Sequence, residues 1–397
     1  MGLPVLKKIL ILDAMQRSAL ATTRSLGAKG FYIITADNSL KTLSGASRFS
    51  KQSLVYPSPQ FQTDAFITYL QSTVKQYKID FVFPMSEITC AVILKNRAQF
   101  QDVVIPVAGF DKFDSLSDKF ALFKLAISLG LPVPETNFIE QSSDIEAVLD
   151  LIKFPVVLKP ARSRIYSNNS WIDTTVAFAY SADELETQIN QHIYFRDYPF
   201  MVQSYIEGIG QGLFALYKEG EPVCFFSHKR LKEKPPQGGV SVLSESVEAT
   251  PAMLNSATAL LHHVKWDGVA MVEFKVSPDG TPYLMEINAR FWGSLQLAID
   301  SGVDFPNLLY QVYSGENIKP PVDYKKGIKL RWLFGDLDRL IIIFKDSDLS
   351  LANKLKEFVN FCKFYQPHMR YEINRLNDLK PFFFEFWEYI KVNLLRI

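Results

Sequence analysis

Cysteine, net charge and long apolar runs are all scarce in this chain of 397 residues. The three cysteines, Cys90, Cys224 and Cys362, have neither disulfide-type nor zinc-type spacing, which indicates a protein of a reducing cytoplasm. The formal net charge of +1 gives no reason to expect nucleic acid or an anionic membrane as a partner. No run of about 18 apolar residues occurs, so no transmembrane segment is predicted, and the apolar run before Asp13 is too short for a signal peptide.

The N-terminal segment contains strands that alternate with helical patterns. Lys8–Asp13 is a continuous apolar run typical of a buried strand, and further strands are predicted at Gly30–Ala36, Phe81–Pro84 and Val103–Val107. The apolar spacing within Arg17–Gly27 predicts a helix. This alternation predicts an α/β fold with a doubly wound parallel sheet. The first strand is followed by DAMQRS and not by G-x-G-x-x-G, so no dinucleotide site is expected there.

After the N-terminal segment the sequence predicts a helix, an extended linker and a strand that ends in a lysine. Asp114–Gly130 predicts a helix, the LPVPET run after it is extended, and a shift in composition places a domain boundary near residue 115. Phe154–Lys159 then predicts a strand that ends in Lys159. A lysine at the end of a buried strand is costly unless it meets an anion, and the alternative is that its ammonium group reaches solvent.

Glycine and basic residues are concentrated between residues 206 and 240. The predicted strand Phe200–Ile206 is followed by glycines at positions 208, 210 and 212, which allow the backbone to approach a ligand. Leu213–Tyr217 and Pro222–Phe226 predict a hairpin, and Ala252–His263 predicts a helix. The basic step Ser227–Arg230 and the flexible run KPPQGG after it indicate an anion-binding lid, with a charged surface loop as the alternative.

Two carboxylates are predicted to face each other in a hairpin within residues 269–294. Asp279-Gly280 favours a two-residue loop, and that register places Glu273 opposite Glu286. Opposed carboxylates repel by up to about 1 kcal/mol unless a cation lies between them. Asn288 offers an oxygen on the same face, and Arg290 follows with a fork that fits phosphate or carboxylate. This set suits a hard ion such as Mg²⁺, and the alternative is a solvated face without function.

The segment from Pro320 onward is rich in aromatic and aliphatic residues at helical spacing. Packing against the rest of the chain is the simpler interpretation. The alternative is a docking face for a second copy, for another partner or for a bilayer surface.

The run MVEFK, a short turn and LMEINARFWGS together resemble the ATP-grasp superfamily. The likeness is greatest to the branch of carbamoyl phosphate synthase and biotin carboxylase, and to bacterial carboligases of unassigned substrate, and it covers about residues 1–315. It implies that Glu273, Glu286 and Asn288 hold Mg²⁺ or Mn²⁺ on ATP. It also implies that Arg290 acts on the transferring phosphate or on the acyl phosphate.

The same resemblance implies further ATP contacts in the first half of the body. SDKFALFKLAISLGLPVPET and FPVVLKP supply Lys119 and Lys159, which would reach the ATP phosphates. VQSYIEG resembles the segment that links the two lobes, where the backbone of Tyr205 and Ile206 would contact the adenine. Gln203 would lie beside the adenine amine.

The resemblance also implies substrate contacts. SHKRLKEKPPQGG resembles the segment that binds the acidic substrate, with His228, Arg230, Gly238 and Gly239 as candidates. Glu207 is the candidate for the ribose hydroxyls, although its match is poor. Residues 160–180 contain no glycine, whereas the phosphate-covering loop of the family is usually rich in it.

The sequence therefore predicts three regions: an α/β domain over 1–115, a body of two lobes over about 116–200 and 201–318, and a helical region over 319–397. The expected activity is ATP- and Mg²⁺-dependent ligation of a small carboxylate to an amine through an acyl phosphate. The alternatives are carboxyphosphate chemistry on bicarbonate, or nucleotide binding without turnover.

Overall fold

The computed structural model describes residues 6–167, 170–316 and 318–395. The elements of the N-terminal unit are β1 (Lys8–Ile11), α1 (Arg17–Ala28), β2 (Tyr32–Asp37), β3 (Ser50–Val55), α2 (Thr63–Tyr77), β4 (Phe81–Phe83) and α3 (Glu87–Lys95). The four strands form a parallel sheet in the order β3–β2–β1–β4. The predicted parallel α/β domain is confirmed.

Two details of this sheet differ from the prediction. Val103–Val107 is not a strand and makes a single parallel bridge, between Val104 and Phe81. Pro106 explains this, because it has no N–H group to continue a ladder. Strand β3 was not predicted, since the run SKQSLV is mostly polar, and it occupies an edge of the sheet where one side meets solvent.

The first lobe of the two-lobed body follows the N-terminal unit in the chain. Its helices are α4 (Phe110–Ser117), α5 (Lys119–Ser128), α6 (Ile145–Val148), α7 (Ala182–Gln191) and α8 (Ile193–Arg196). Its strands are β5 (Thr136–Ile139), β6 (Val156–Pro160), β7 (Arg164–Ser167), β8 (Ser170–Asp173), β9 (Ala177–Ala179) and β10 (Phe200–Ser204). An antiparallel sheet has the order β5–β10–β6–β9, and β7–β8 is a separate hairpin.

The helix predicted over Asp114–Gly130 is two helices, α4 and α5. The break is at Asp118, whose extended backbone allows its carboxylate to accept from the N–H group of Ala121 and cap α5. The boundary expected near residue 115 lies within α4. The break matters for the site because it brings Lys119 to the first position of α5.

The second lobe contains β11 (Ile209–Lys218), β12 (Glu221–Lys234), β13 (Val240–Ser246), α9 (Pro251–His263), β14 (Gly268–Val276), β15 (Pro282–Asn288), α10 (Leu295–Ser301) and α11 (Phe305–Ser314). The predicted hairpin at residues 213–226 is present with longer strands, β11 and β12. Alternate residues of β14 pack on opposite sides. Val272 lies in a cluster with Leu260 of α9, and Met271 in a cluster with Phe83 of the N-terminal unit.

The C-terminal region contains β16 (Lys329–Arg331), α12 (Leu333–Lys345), α13 (Leu351–Phe361), β17 (Met369–Tyr371) and α14 (Lys380–Ile390), followed by a π-helix over Lys391–Leu395. Its two strands extend the sheet of the second lobe, whose order is β15–β14–β11–β12–β13–β16–β17. A buried ion pair of 2.8 Å between Arg24 and Asp378 joins this region to α1. Among the described helices, none has the length and apolar character needed to span a bilayer.

Candidate functional site

The acidic pair predicted from the hairpin lies on the adjacent strands β14 and β15. Glu273 pairs directly with Glu286, as predicted. The loop is longer than two residues, however, because β14 ends at Val276 and β15 begins at Pro282. The pairing shifts by one residue next to Glu273, where Met285 has no partner and forms a β-bulge. The bulge offsets the longer loop, so the predicted pair is correct although the predicted turn is wrong.

One amide and two cations hold the acidic pair. The amide nitrogen of Asn288 donates to Oε1 of Glu273 and to Oε1 of Glu286, each at 3.0 Å. The Arg230 guanidinium donates to Glu273, and the Lys119 ammonium lies 3.6 Å from Oε2 of Glu286. Since a single NH₂ group contacts both carboxylates, their oxygens converge on one point.

The two carboxyl groups have different titration behaviour. Burial raises the pKa of Glu273; Arg230 opposes this effect, and the charge of Glu286 adds to it. Burial also acts to raise the pKa of Glu286, but Lys119, Asn288 and other nearby donors outweigh it and lower the pKa to about 2. Glu286 is therefore a carboxylate at neutral pH, as a metal ligand has to be.

Two buried lysines face the acidic pair from the first lobe. Lys119 begins α5, where a positive charge opposes the helix dipole, and its ammonium donates to Ser163 at 2.7 Å. The Lys159 ammonium lies 3.5 Å from the sulfur of Met285 and 5.7 Å from the centre of the Phe123 ring. Lys159 is only 9% exposed, so its side chain does not reach solvent freely. A buried cation is costly unless an anion lies nearby; Glu286 supplies one for Lys119, whereas the Lys159 ammonium has no ion pair within 4.0 Å among the described residues.

An apolar cavity of about 240 Å³ lies between the two lobes, beside these charges. Val157 and Phe178 line it from the first lobe, and Phe274 and Met285 line it from the second. The acidic pair and the two lysines lie at its charged end. The cavity therefore suits a flat apolar group with an anionic extension.

Gln203 offers an acceptor to a ligand in the apolar cavity. Its amide nitrogen donates to Thr136 at 2.9 Å, while its buried Oε1 has no partner among the described residues. An unpaired buried acceptor costs about 1–3 kcal/mol, which a ligand N–H group would remove. The backbone N–H of Tyr205 donates to Pro155 at 3.1 Å and is not free for a ligand. The N–H of Ile206 has no backbone partner within the described residues and borders the cavity.

Three of the predicted substrate contacts line the apolar cavity: Arg230, Gly238 and Gly239. The Arg230 guanidinium donates to the carbonyl of Gly239 at 3.1 Å as well as to Glu273, so it acts as a counter-ion of the acidic pair. At Gly239 a Cβ would lie 2.5 Å from a backbone carbonyl oxygen, so this close turn requires glycine.

The other two predicted contacts, His228 and Glu207, line neither this cavity nor the polar cavity described below. His228 is in the core: its ring packs edge-on against Phe214 at 4.7 Å, and Nδ1 lies 3.3 Å from the hydroxyl of Ser294. Burial lowers the pKa of His228 to about 3, so the ring is neutral. The structure therefore does not support His228 as a substrate contact. Glu207 is exposed. Besides the acidic pair, Glu233 lines the apolar cavity, and the sequence patterns did not single it out.

A polar cavity of about 640 Å³ lies on the other side of the acidic pair. Arg290 lines this cavity, and its Nη1 donates to the carbonyl of Phe291 at 2.9 Å. Glu286 lines both cavities, so this carboxylate lies between them, whereas Glu273 lines the apolar cavity. The N-terminal sheet supplies the opposite wall from the carboxyl ends of its strands, with Asp13, Asp37, Tyr56 and Glu87.

Asp13 fixes that opposite wall. It has a left-handed backbone (φ 55°), and its carboxylate accepts from the N–H groups of Met85 and Ser86, both at 2.8 Å, and from the hydroxyl of Thr89 at 2.6 Å. These bonds tie the end of β1 to the turn before α3, where Glu87 begins the helix. The sequence showed the strand that ends at Asp13 but not this role.

The glycine-free segment 160–180 forms the hairpin β7–β8, which lies over the polar cavity. Its anchor is Arg162, which donates to Asp114 at 2.7 Å and to Asp118 at 2.8 Å. Trp171 packs against the core of the N-terminal unit. Ser163, Arg164, Asp173 and Thr174 line the polar cavity. Residues 168 and 169 of this segment are outside the described residues.

The acidic pair fits a hard divalent cation. Its ligands are oxygens only, and Mg²⁺ commonly binds one or two carboxylates and takes the rest of its shell from phosphate and water. No group of three or more His, Cys, Asp or Glu side chains forms a metal site in the described ranges. The pair with Asn288 is therefore a partial shell, of the kind that a metal–phosphate complex completes.

The fold and the site together define an ATP-grasp architecture, and comparison with known proteins agrees. The model of the family "ATP-grasp in the biosynthetic pathway with Ter operon" matches residues 196–335, about a third of the chain, including the acidic pair. No curated protein matches. The chain has the ATP-grasp fold.

Three solved structures illustrate the likeness. An L-amino acid ligase from Bacillus licheniformis has a TM-score of 0.60 at 17% identity, over 79% of this chain and 77% of that one. An N5-carboxyaminoimidazole synthetase from Staphylococcus aureus, complexed with ADP, has a TM-score of 0.63 at 14% identity, over 81% and 80%. The biotin carboxylase domain dimer of a 2-oxoglutarate carboxylase from Hydrogenobacter thermophilus, in complex with MgADP, ADP and bicarbonate, has a TM-score of 0.63 at 12% identity, over 81% and 73%. At these identities the likeness establishes the fold.

Proposed function

We propose that this protein is an ATP- and Mg²⁺-dependent ligase that joins a small carboxylate to an amine through an acyl phosphate. The observation that carries the proposal is the position of Glu286, which lines both the apolar and the polar cavity. A carboxylate in that position could hold the metal ion that carries the ATP phosphates, close to the phosphate acceptor in the polar cavity. The likenesses to ATP-grasp ligases and carboxylases support this general class of reaction.

The apolar cavity is assigned to ATP. Adenine would lie between Val157 and Phe274, with its amine directed at Oε1 of Gln203. The phosphates would then extend to Lys119 and Lys159. Among the described residues, no carboxylate oxygen lies closer than 3.6 Å to either ammonium group. Binding of the triphosphate would offset the cost of keeping these two ammonium groups out of water.

Glu273, Glu286 and Asn288 are assigned to Mg²⁺, with Mn²⁺ as a substitute. Bound there, the metal would neutralise charge on the β- and γ-phosphates during transfer. Arg230 contacts Glu273 directly, and Lys119 lies close to Glu286. These two cations therefore offset the repulsion between the two carboxylates, a role that a bound metal would share.

The polar cavity is assigned to the carboxylate substrate and the amine. Arg290 and Asn288 both line this cavity, which supports a role for the guanidinium beside the γ-phosphate and its acceptor oxygen. Transfer to a carboxylate concentrates negative charge at that point, and a fixed guanidinium stabilises it without reorganisation. The amine would then attack the acyl phosphate and release inorganic phosphate. The chain itself needs no nucleophilic side chain for this sequence of steps.

A screen of phosphate release tests the proposal. Purified protein with ATP and Mg²⁺ is given amino acids and small carboxylates singly and in pairs, and free phosphate is followed over time. We expect one carboxylate–amine pair to stimulate release, with ADP and an amide product in equal amounts by mass spectrometry. Release stimulated by bicarbonate alone would instead assign carboxyphosphate chemistry. ATP binding without release under any substrate would overturn the enzymatic proposal.

A further inference from the structure

The charge of this chain is divided unevenly along its length. Residues 319–397 contain 15 lysines and arginines against 10 aspartates and glutamates, a net charge of +5. The remaining residues therefore carry −4, and the near-neutral total conceals a basic C-terminal region. Within residues 351–370 four basic residues accompany a single acid, Glu357, which is already paired with Arg339 at 2.6 Å.

Helix α13 in this region has its apolar side turned outward. Leu351, Leu355, Phe358 and Val359 follow the i, i+4, i+7, i+8 spacing of a single helix face and are between 47% and 70% exposed. The opposite face carries Glu357, which binds α12. An amphipathic helix usually buries its apolar side, but none of the residues of α13 is buried.

Helix α14 presents a second apolar row. The row consists of Leu379, which directly precedes the helix, and of Phe383, Phe386 and Trp387; they are spaced at i, i+4, i+7 and i+8 and are all exposed. The helix packs on α12 through Tyr389, which stacks on Phe334 at 4.8 Å, and the edge of the row at Phe386 lies 6.1 Å from the same ring. Of the 33 large hydrophobic residues exposed in the described structure, 16 lie beyond residue 318. A fifth of the chain thus carries half of its exposed apolar side chains.

We propose that the outward faces of α13 and α14 dock on the surface of an anionic lipid bilayer. The apolar rows would enter the boundary between headgroups and acyl chains, where Trp387 and the phenylalanines are favoured. Lys356, Lys363 and Arg370 are exposed near α13 and would meet the lipid phosphates. A second copy of the chain is the less suitable occupant, because it would bring like charges together at the same face.

Vesicle flotation of the full-length protein tests the proposal. The protein should float with vesicles of phosphatidylcholine and phosphatidylglycerol, should bind vesicles of pure phosphatidylcholine at least fivefold more weakly, and should dissociate as salt is raised. Tryptophan emission should shift to the blue on binding. Absence of flotation would overturn the proposal. Equal binding to both vesicle types would overturn its electrostatic part, and a dimer that forms without lipid and blocks flotation would assign the face to a second copy.

Matched variants locate the contact. The double variant Leu355→Ser/Phe358→Ser should lower vesicle partitioning by about 100-fold, since each large apolar side chain that enters the bilayer contributes about tenfold. Lys356→Gln/Lys363→Gln should lower it by roughly fivefold for each charge removed, and only on anionic vesicles. Phe61→Ser is the control, because Phe61 is 70% exposed on the N-terminal unit. All variants should keep the circular dichroism and the melting temperature of the wild type, and wild-type flotation in both double variants would refute the assignment of this face.

Discussion

Replacement of Lys159 by methionine should stabilise the nucleotide-free protein and weaken its response to nucleotide. Burial lowers the pKa of Lys159 from 10.5 to about 8, although the charge of Glu286 opposes this effect. As pH falls, the unfolded chain therefore takes up this proton near pH 10.5 and the folded chain only near pH 8. The free energy of unfolding therefore decreases as the pH falls from 10.5 to about 8, and it stays reduced at lower pH. At about 1.4 kcal/mol per pH unit, the buried ammonium costs the folded protein about 3 kcal/mol at pH 7.

Methionine has a similar length and no charge, so Lys159→Met should raise the melting temperature of the nucleotide-free protein by a few degrees at pH 7. The difference should shrink at pH 10.5, where the wild-type lysine is neutral in the folded state. Addition of Mg²⁺ and a non-hydrolysable ATP analogue should stabilise the wild type more than the variant, because a bound phosphate favours the ammonium. Differential scanning fluorimetry at the two pH values, with and without the analogue, measures all of these effects.

Lys153→Met is the matched control, since Lys153 is exposed just before the same strand. It should change neither the melting temperature nor the response to the analogue. The reasoning is refuted if Lys159→Met melts at a lower temperature than the wild type, or if its response to the analogue equals that of the wild type. Either result would mean that the ammonium of Lys159 is satisfied within the protein and does not await a phosphate.

Three further substitutions test the rest of the site. Glu286→Gln should lower phosphate release by about 100-fold or more while the circular dichroism is unchanged, because the metal loses one of its two carboxylates; release at the wild-type rate would exclude the metal assignment. Arg290→Lys should bind the Mg²⁺–ATP analogue nearly as tightly as the wild type in calorimetry but turn over about 100-fold more slowly, since it keeps the charge and loses the fork. Gln203→Leu should weaken ATP binding by about tenfold and leave GTP binding unchanged, because it removes the acceptor facing the adenine amine; equal losses for both nucleotides would contradict that contact.

Much of the architecture could be predicted from local patterns. The alternation of apolar strands and helices predicts the parallel N-terminal sheet, and the structure confirms it. Period-2 alternation within a single strand places Glu286 and Asn288 on one face of β15, and this needs no knowledge of the loop. The break between α4 and α5 was not predicted. Asp118 caps α5 only because its backbone is extended, and residue types alone do not specify that conformation.

The candidate site was predicted less completely, because its contacts join segments far apart in sequence. Arg230 was expected at a substrate but contacts Glu273, 43 residues away. His228 was expected beside it, yet Phe214 and Ser294 enclose its ring. The alternation of side chains along a strand indicates the face on which a side chain lies, but not whether another element covers that face.

The sequence by itself determined most strands of the N-terminal sheet and the lysine near the end of β6, because these follow from spacing within short segments. The pairing of Glu273 with Glu286 depends in addition on the β-bulge at Met285, which offsets a loop longer than the predicted one. Only the tertiary structure decided that Glu286 lies between two cavities, since one cavity is built from the two lobes and the other from the N-terminal sheet. It also decided that the apolar side of α13 faces outward. The helical spacing of apolar residues in the sequence shows that α13 has an apolar side. The direction in which that side faces depends on the contact between the polar side of α13 and α12.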